Sequence, residues 1–273
     1  MRLKQTLLCT LACLLLIIAA GCTTKKPLSS PSAPAASPEQ SAPQSAAPTE
    51  APKPSPAEEK TFAELAPTTK MEFAELVGDN GVDEIPEKFP EKGTYKIVVD
   101  IYHQVVIAYS KDEAGEYTVP ERYMLCTTGS EKTPTPIGTY EAGDDRVRFQ
   151  KFQIDDVYAQ YWTQITGEIY FHSILYSAED ASEYTVGSYE KLGTRDSHGC
   201  IRLLVPDARW IFYHIAPGTE IEIREGAEDD SACASIKEQL TIAPLPEERP
   251  KLEPGKTPQT DTWSIEALKK SLG

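Results

Sequence analysis

From Thr94 to Arg224 the chain is written in strands. Tyr95 to Ile101 is rich in β-branched residues, and Val105 to Tyr109 repeats the pattern after a short turn at His103-Gln104, which predicts a β-hairpin. Lys111 to Glu116 supplies a second turn around Gly115, and Tyr123 to Thr128 reads as a third strand ending at Gly129. Thr133-Pro134-Thr135-Pro136 is a rigid loop, because two prolines fix φ and remove two donors. Extended structure resumes at Gly138 to Ala142, then at Gln160 to Thr166 and Glu168 to Leu175, joined at Gly167. Pro206 to Ile215 reads as a short helix with its proline in the first turn; Pro217-Gly218 ends it, and Thr219 to Arg224 alternates as a last strand. Six to eight strands against one or two short helices make a mainly β domain over residues 94–225, a curved sheet or a β-sandwich.

What flanks this domain has a different character. Residues 1–21 read as an export signal: Arg2 and Lys4 form a basic start, and the apolar run from Leu7 to Ala20 is too short to span a bilayer comfortably. Ala19-Ala20-Gly21-Cys22 resembles a bacterial lipobox, whose cysteine becomes a lipidated N-terminus. That resemblance implies a protein at the cell membrane, on the extracytoplasmic face, anchored through Cys22. Residues 22–60 are Pro, Ala, Ser and Glu with almost no large apolar side chain, the composition of a disordered tether. Residues 61–93 form a lead-in with two short helical stretches, Thr61 to Leu65 and Lys70 to Val77, expected to pack loosely. Residues 226–273 are an acidic, then proline-rich tail with possible helices at Ala232 to Leu240 and Ser264 to Leu272.

Charge narrows the range of partners. The formal net charge is −15, and it becomes −17 without the first 21 residues, which carry Arg2 and Lys4 and no acid. Nucleic acid is excluded as a partner, since phosphate binding rests on clustered Lys and Arg. Of six cysteines, Cys9 and Cys13 leave with the signal and Cys22 carries lipid, so Cys126, Cys200 and Cys233 remain. Cys126 lies in an apolar run and is expected to be buried and reduced; a Cys126–Cys233 bridge is neither demanded nor excluded.

Ser197-His198-Gly199-Cys200-Ile201-Arg202-Leu203 is the stretch with chemistry in it. A thiol is a nucleophile as thiolate, and a nearby histidine can take its proton while positive charge holds the anion. Gly199 permits positive φ and a close approach by a substrate carbonyl, and successive N–H groups there can hold an oxyanion. The bland alternative is a small buried cysteine beside a core histidine.

Three ordered motifs weigh against that alternative. Ser-His-Gly-Cys-Ile-Arg-Leu with His172-Ser173 upstream resembles the signature of the L,D-transpeptidases that cross-link bacterial peptidoglycan. Thr133 to Tyr140 is similar to that family's Thr-Pro-x-Gly segment, and Ile97 to Asp100 with Gln104 resembles its opening hairpin. The resemblance implies that Cys200 is the nucleophile, His172 the residue acting on it, and His198 a support for the loop or a tuner of the thiol. Ser173 and Ser197 would orient the two imidazoles, and Arg202 would brace the loop or meet a stem-peptide carboxylate. It further implies acyl transfer from a peptidoglycan stem peptide through a thioester, without a cofactor. Hydrolysis of the same stem, as an L,D-carboxypeptidase, and a non-catalytic wall-binding lipoprotein are the alternatives. A zinc site from His172, His198 and Cys200 finds no further acid or cysteine pair at ligand spacing. Between His172 and Cys200, the polar run Tyr176 to Tyr189 is long enough to form a lid, and Tyr161, Trp162 and Tyr170 either line the groove or sit in the core. His103 and His214 read as structural.

Overall fold

The computed structural model describes residues 60–82, 85–153, 155–257 and 265–273. The expected signal, the Cys22 lipidation site and the tether up to residue 59 lie outside the described residues. Among those described, no helix is long and apolar enough to cross a membrane.

The chain enters through helix α1 (Phe62–Leu65), a 3-10 turn at Pro67–Lys70 and helix α2 (Phe73–Val77). Seven strands follow: β1 (Tyr95–Asp100), β2 (Val105–Lys111), β3 (Tyr117–Thr127), β4 (Gly138–Glu141), β5 (Arg146–Lys151), β6 (Tyr158–Thr166) and β7 (Ile169–Ser173). A short β8 (Leu175–Tyr176), a 3-10 turn, helix α3 (Val186–Glu190) and β9 (Ile201–Leu203) lead to helix α4 (Val205–His214) and β10 (Glu220–Arg224). Helices α5 (Ser231–Gln239) and α6 (Ile265–Ser271) complete the described chain.

The ten strands form one sheet in the order β4-β10-β1-β2-β3-β9-β7-β6-β5, with β8 pairing to β6. The domain is mainly β, as its strand patterning predicts, with ten strands rather than six to eight. The β1–β10 pair shows why these residues make strands. Ile97 and Val99 lie opposite Ile221 and Ile223 with all four buried, while Lys96 reaches outward to Glu220 and Glu222 at 2.9 Å each. Every residue of α4 is buried, so the helix sits inside the sheet rather than on it. Just past β4 the chain returns to β6, with the Gly143 N–H donating to the Gln164 carbonyl at 3.0 Å and the Gln164 N–H to that of Asp145 at 3.1 Å. Those bonds bring distant parts of the sheet together, so it curls around α4.

The lead-in does not pack loosely. Ala66, Leu76 and Val77 are fully buried, and Asp79 is buried with both carboxylate oxygens engaged. Its Oδ2 accepts from Arg209 of α4 at 3.2 Å and from the Tyr161 hydroxyl; its Oδ1 meets Arg148 at 3.0 Å and accepts from Thr257 of the tail at 2.7 Å. One carboxylate thus ties lead-in, sheet, central helix and tail together. It also holds Tyr161 at φ 55, a left-handed conformation unusual for a bulky residue, with the Arg148 guanidinium 4.1 Å from the ring centroid. Removing one member of such a buried ion cluster leaves uncompensated charge. Asp79→Ala is expected to lower unfolding stability by about 3–5 kcal/mol. Chemical denaturation of the full chain measures it, and a loss below about 1 kcal/mol would show the lead-in to be a dispensable appendage.

Candidate active site

The two motifs meet because β7 and β9 are parallel neighbours, with Phe171 opposite Ile201, His172 opposite Arg202 and Ser173 opposite Leu203. Cys200, the residue before β9, therefore falls beside Tyr170, and the period of two puts Tyr170 and His172 on one face of β7. Tyr170, His172, Ser197, His198, Cys200 and Arg202 all line one cavity of about 440 Å³, a size suited to a small ligand or peptide segment.

The turn that presents the thiol is braced from two directions. Ser197 Oγ accepts from the Gly199 N–H at 3.1 Å and donates to the Cys200 carbonyl at 2.5 Å. From the Thr-Pro-Thr-Pro loop, Thr133 Oγ1 donates to the Ser197 carbonyl at 3.1 Å and Thr135 Oγ1 to the Gly199 carbonyl at 2.7 Å. No sequence signal singled out these two threonines as site residues, although the prolines between and after them marked the loop as rigid. Gly199 has φ 124, a conformation that favours glycine, and a Cβ there would also crowd Ile169 Cδ1 at 3.0 Å.

At rest the thiol and the imidazole are not hydrogen-bonded among the described residues. Cys200 Sγ donates to the Glu168 carbonyl at 3.5 Å. His172 is buried, and its Nδ1 lies 2.6 Å from the Ser173 carbonyl. A carbonyl only accepts, so Nδ1 carries the proton and Nε2 keeps its lone pair. Burial, with the charge of Arg202, pushes the His172 pKa down to about 3; the Ser173 carbonyl opposes that shift. Burial raises the Cys200 thiol, with Glu168 adding to the effect, while the Tyr170 N–H and Arg202 favour the thiolate. Both groups are therefore neutral at physiological pH.

The two serines expected to orient imidazoles make different contacts. Ser173 orients His172 through its carbonyl alone, since its hydroxyl accepts from the Gln160 N–H and donates to the Ile174 carbonyl. Ser197 braces the turn instead of orienting an imidazole. His198 is exposed and its Nδ1 lies 3.2 Å from Asp155 Oδ2, across the mouth of the cavity. With that ring turned to Asp155 and His172 Nδ1 given to a carbonyl, the three groups are not arranged as a zinc shell; among the described residues, the cluster able to hold a metal lies elsewhere. Arg202 is buried with an Asp196 oxygen at 3.6 Å, and its Nε and Nη1 have no hydrogen-bond partner. Trp162 and Tyr170 face the cavity; Tyr161 points into the core. His214 stacks on Trp210 at 4.3 Å in the core, and Cys126 and Cys233 are free, buried thiols.

The segment from Tyr176 to Tyr189 is not a lid. It is bonded to the lead-in through Asn80 and Ala181, and to the tail through Arg249, which donates to the Ser182 and Tyr184 carbonyls, and through Tyr189. The cavity is covered by the β5–β6 connection instead, where Phe152 packs on Trp162 at 4.2 Å and edge-on to His172 at 5.2 Å.

A profile of the L,D-transpeptidase catalytic domain (YkuD) matches residues 94–223. A Bacillus subtilis (strain 168) protein named "Putative L,D-transpeptidase YciB" is 30% identical over 141 residues, which cover 50% of this chain and 70% of that one. Among solved structures, a Clostridium acetobutylicum ATCC 824 chain titled as a fused Zn-dependent amidase/peptidase/peptidoglycan-binding domain-containing protein is 30% identical (TM-score 0.37), covering 48% of this chain and 52% of that one. An L,D-transpeptidase from Mycobacterium smegmatis is 21% identical (TM-score 0.39) over 48% of this chain and 58% of that one. The chain thus spans little more than half the length of these solved chains.

The neutral resting pair sets a test. Alkylation of Cys200 by iodoacetamide in the free protein is expected to climb with pH through the alkaline range, because the thiol titrates above its ordinary value of ~8.5. Peptide mass mapping, which separates Cys200 from Cys126 and Cys233, reads the rate. A plateau near pH 6 would instead reveal a thiolate–imidazolium pair at rest.

Proposed function

The chain belongs to the YkuD family of L,D-transpeptidase catalytic domains, and from that premise we propose that it is a cysteine acyltransferase cross-linking peptidoglycan stem peptides through a thioester on Cys200. The observation that carries this reading is a partly open thiol sharing one cavity with a buried imidazole whose Nε2 lone pair is uncommitted.

The thiol proton passes to His172 Nε2 as Sγ attacks the carbonyl of the L,D-peptide bond in a stem tetrapeptide. This step requires Sγ to leave the Glu168 carbonyl, a weak bond at 3.5 Å. The tetrahedral oxyanion is held by the N–H groups of His198 and Cys200, since that of Gly199 is already donated to Ser197. Collapse expels the terminal D-alanine, whose amine takes the proton from His172. An amine of a second stem then attacks the thioester carbonyl and gives its proton to His172, and Sγ leaves and is reprotonated as the new amide forms. Arg202, positive and under-bonded, stabilises the negative charge that develops on sulfur and oxygen. Phe152 and Trp162 wall off the imidazole, which favours an amine acceptor over water. Cys22 as a lipid anchor on the extracytoplasmic face, with residues 22–60 as tether, would place this site within reach of the wall.

Purified protein given a stem tetrapeptide is expected to release D-alanine and form a cross-linked dimer, read by mass spectrometry; tripeptide alone would assign it as a carboxypeptidase. Cys200→Ala is expected to abolish the covalent adduct with the tetrapeptide or a carbapenem, and His172→Ala to slow acylation by about 10²–10⁴-fold. An adduct that persists on the Cys200→Ala variant would end the proposal.

A further inference from the structure

A second cysteine–histidine–aspartate cluster lies away from the cavity. Asp100 and His103 sit at the β1–β2 turn, and Asp230 and Cys233 at the start of α5, each acid three residues before its imidazole or thiol. Asp100, His103 and Cys233 are all buried, and one donor atom from each lies within 4.8 Å of the others. We propose that these three side chains bind a divalent transition-metal ion of the zinc class, clasping the tail helix to the opening hairpin.

The donor set is the first argument. Thiolate, imidazole and carboxylate together suit zinc and not magnesium or calcium, which take oxygen. Bonds of about 2.0–2.3 Å in a tetrahedral shell separate donors by about 3.3–3.8 Å, so Asp100 Oδ1 and His103 Nδ1, 2.9 Å apart, part by about 0.5 Å while a pair near the 4.8 Å limit closes by about 1 Å, leaving one position for water. The site is also framed. Asp100 Oδ1 accepts from the His103 N–H and lies 2.9 Å from its Nδ1, and Asp230 Oδ1 accepts from the Cys233 N–H at 3.0 Å. Gly226, at φ 80, presses so close that a Cβ there would lie 2.4 Å from Asp100 Oδ1.

Charge is the second argument, and it names the competitor. Arg224 Nε donates to Asp100 Oδ2 at 2.9 Å, and its Nη2 lies 2.9 Å from Asp230 Oδ2 and 3.2 Å from Cys233 Sγ. Once the metal has displaced the thiol proton, two carboxylates and a thiolate would carry three negative charges against this single guanidinium, and a divalent ion would close the balance. Arg224 is 39% exposed, so it can swing outward while keeping Asp230. Metal entry then releases the thiol proton to solvent and moves the His103 proton from Nδ1 to Nε2, and no redox change occurs.

The experiment is cobalt and zinc titration of the full chain. Wild type and Cys200→Ser are expected to bind one equivalent, with near-ultraviolet cobalt–thiolate absorption. Cys233→Ser is expected to lose that band and to weaken zinc by at least about tenfold. Arg224→Gln removes the cation that contacts Asp100 and Cys233 while keeping all three ligands, so it is expected to bind more tightly than wild type. No band in either wild type or Arg224→Gln, binding not strengthened in Arg224→Gln, or a band that follows Cys200 instead of Cys233 would each overturn the proposal. Because the arms separate Cys233 from Cys200, failure here leaves the acyltransferase reading standing, and the reverse also holds.

Discussion

The parallel pairing of β7 with β9 is the constraint from which the site follows. A parallel pair cannot be closed by a tight turn and needs a crossover of a dozen residues or more. The long gap between His172 and Cys200 is that crossover, built from β8, a 3-10 turn and α3. Once the two strands lie side by side in register, His172 and Arg202 are opposite each other and the thiol falls just before β9. The crossover itself is pinned by the lead-in and the tail, through Asn80, Arg249 and the Ala243 carbonyl. Segments outside the strand-rich domain therefore stabilise the connection that brings the two motifs together.

The electrostatics of the pair constrain how the reaction begins. Arg202 lies opposite His172, where its charge opposes an imidazolium, and near Cys200, where it favours a thiolate. Burial outweighs the second effect, so the thiol stays protonated. A proton moved from sulfur to imidazole before substrate arrives would place an imidazolium beside the Arg202 guanidinium. In the proposed acyl transfer, the same proton moved while the carbonyl oxygen gathers charge would be offset by the new anion, so the proposed reaction has proton transfer concerted with attack. Arg202 Nε has no hydrogen-bond partner and Nη1 has only the Asp196 oxygen at 3.6 Å, so on the proposed reaction path the guanidinium has bonds still to form.

Much of this was legible in the residues. The β1–β2 hairpin, α4 and β10 follow from β-branched runs and from Pro206 and Pro217-Gly218, and the need for glycine at 199 from the crowding a nucleophile turn implies. Three things were not. Arg146 to Lys151 alternates Val147 and Phe149 with charged and polar residues, yet its cationic character hid β5. Pro120 inside β3 concealed the first half of that strand, where register shifts accommodate it. The cover over the cavity was misassigned because length and polarity suggest a lid equally well in two places. Only tertiary contacts, Phe152 on His172 and Arg249 on the Ser182 carbonyl, distinguish them.

Among the described residues the chain holds three buried or half-buried thiols, and comparing two of them shows why Cys200 is suited to be the nucleophile. Cys233 has a histidine and two carboxylates nearby, richer surroundings by residue type than those of Cys200. Yet Asp100 and Asp230, added to burial, push its thiol up to about 11, and Arg224 already occupies the sulfur's lone pairs. Its sulfur lies within 4.8 Å of donor atoms of Asp100 and His103. Cys200 meets one carboxylate, Glu168, whose nearest contribution is a backbone carbonyl, and it opens onto a cavity with an imidazole lone pair and an under-bonded guanidinium. Residue types alone do not separate a catalytic thiol from a structural one. The sign of the surrounding charge does.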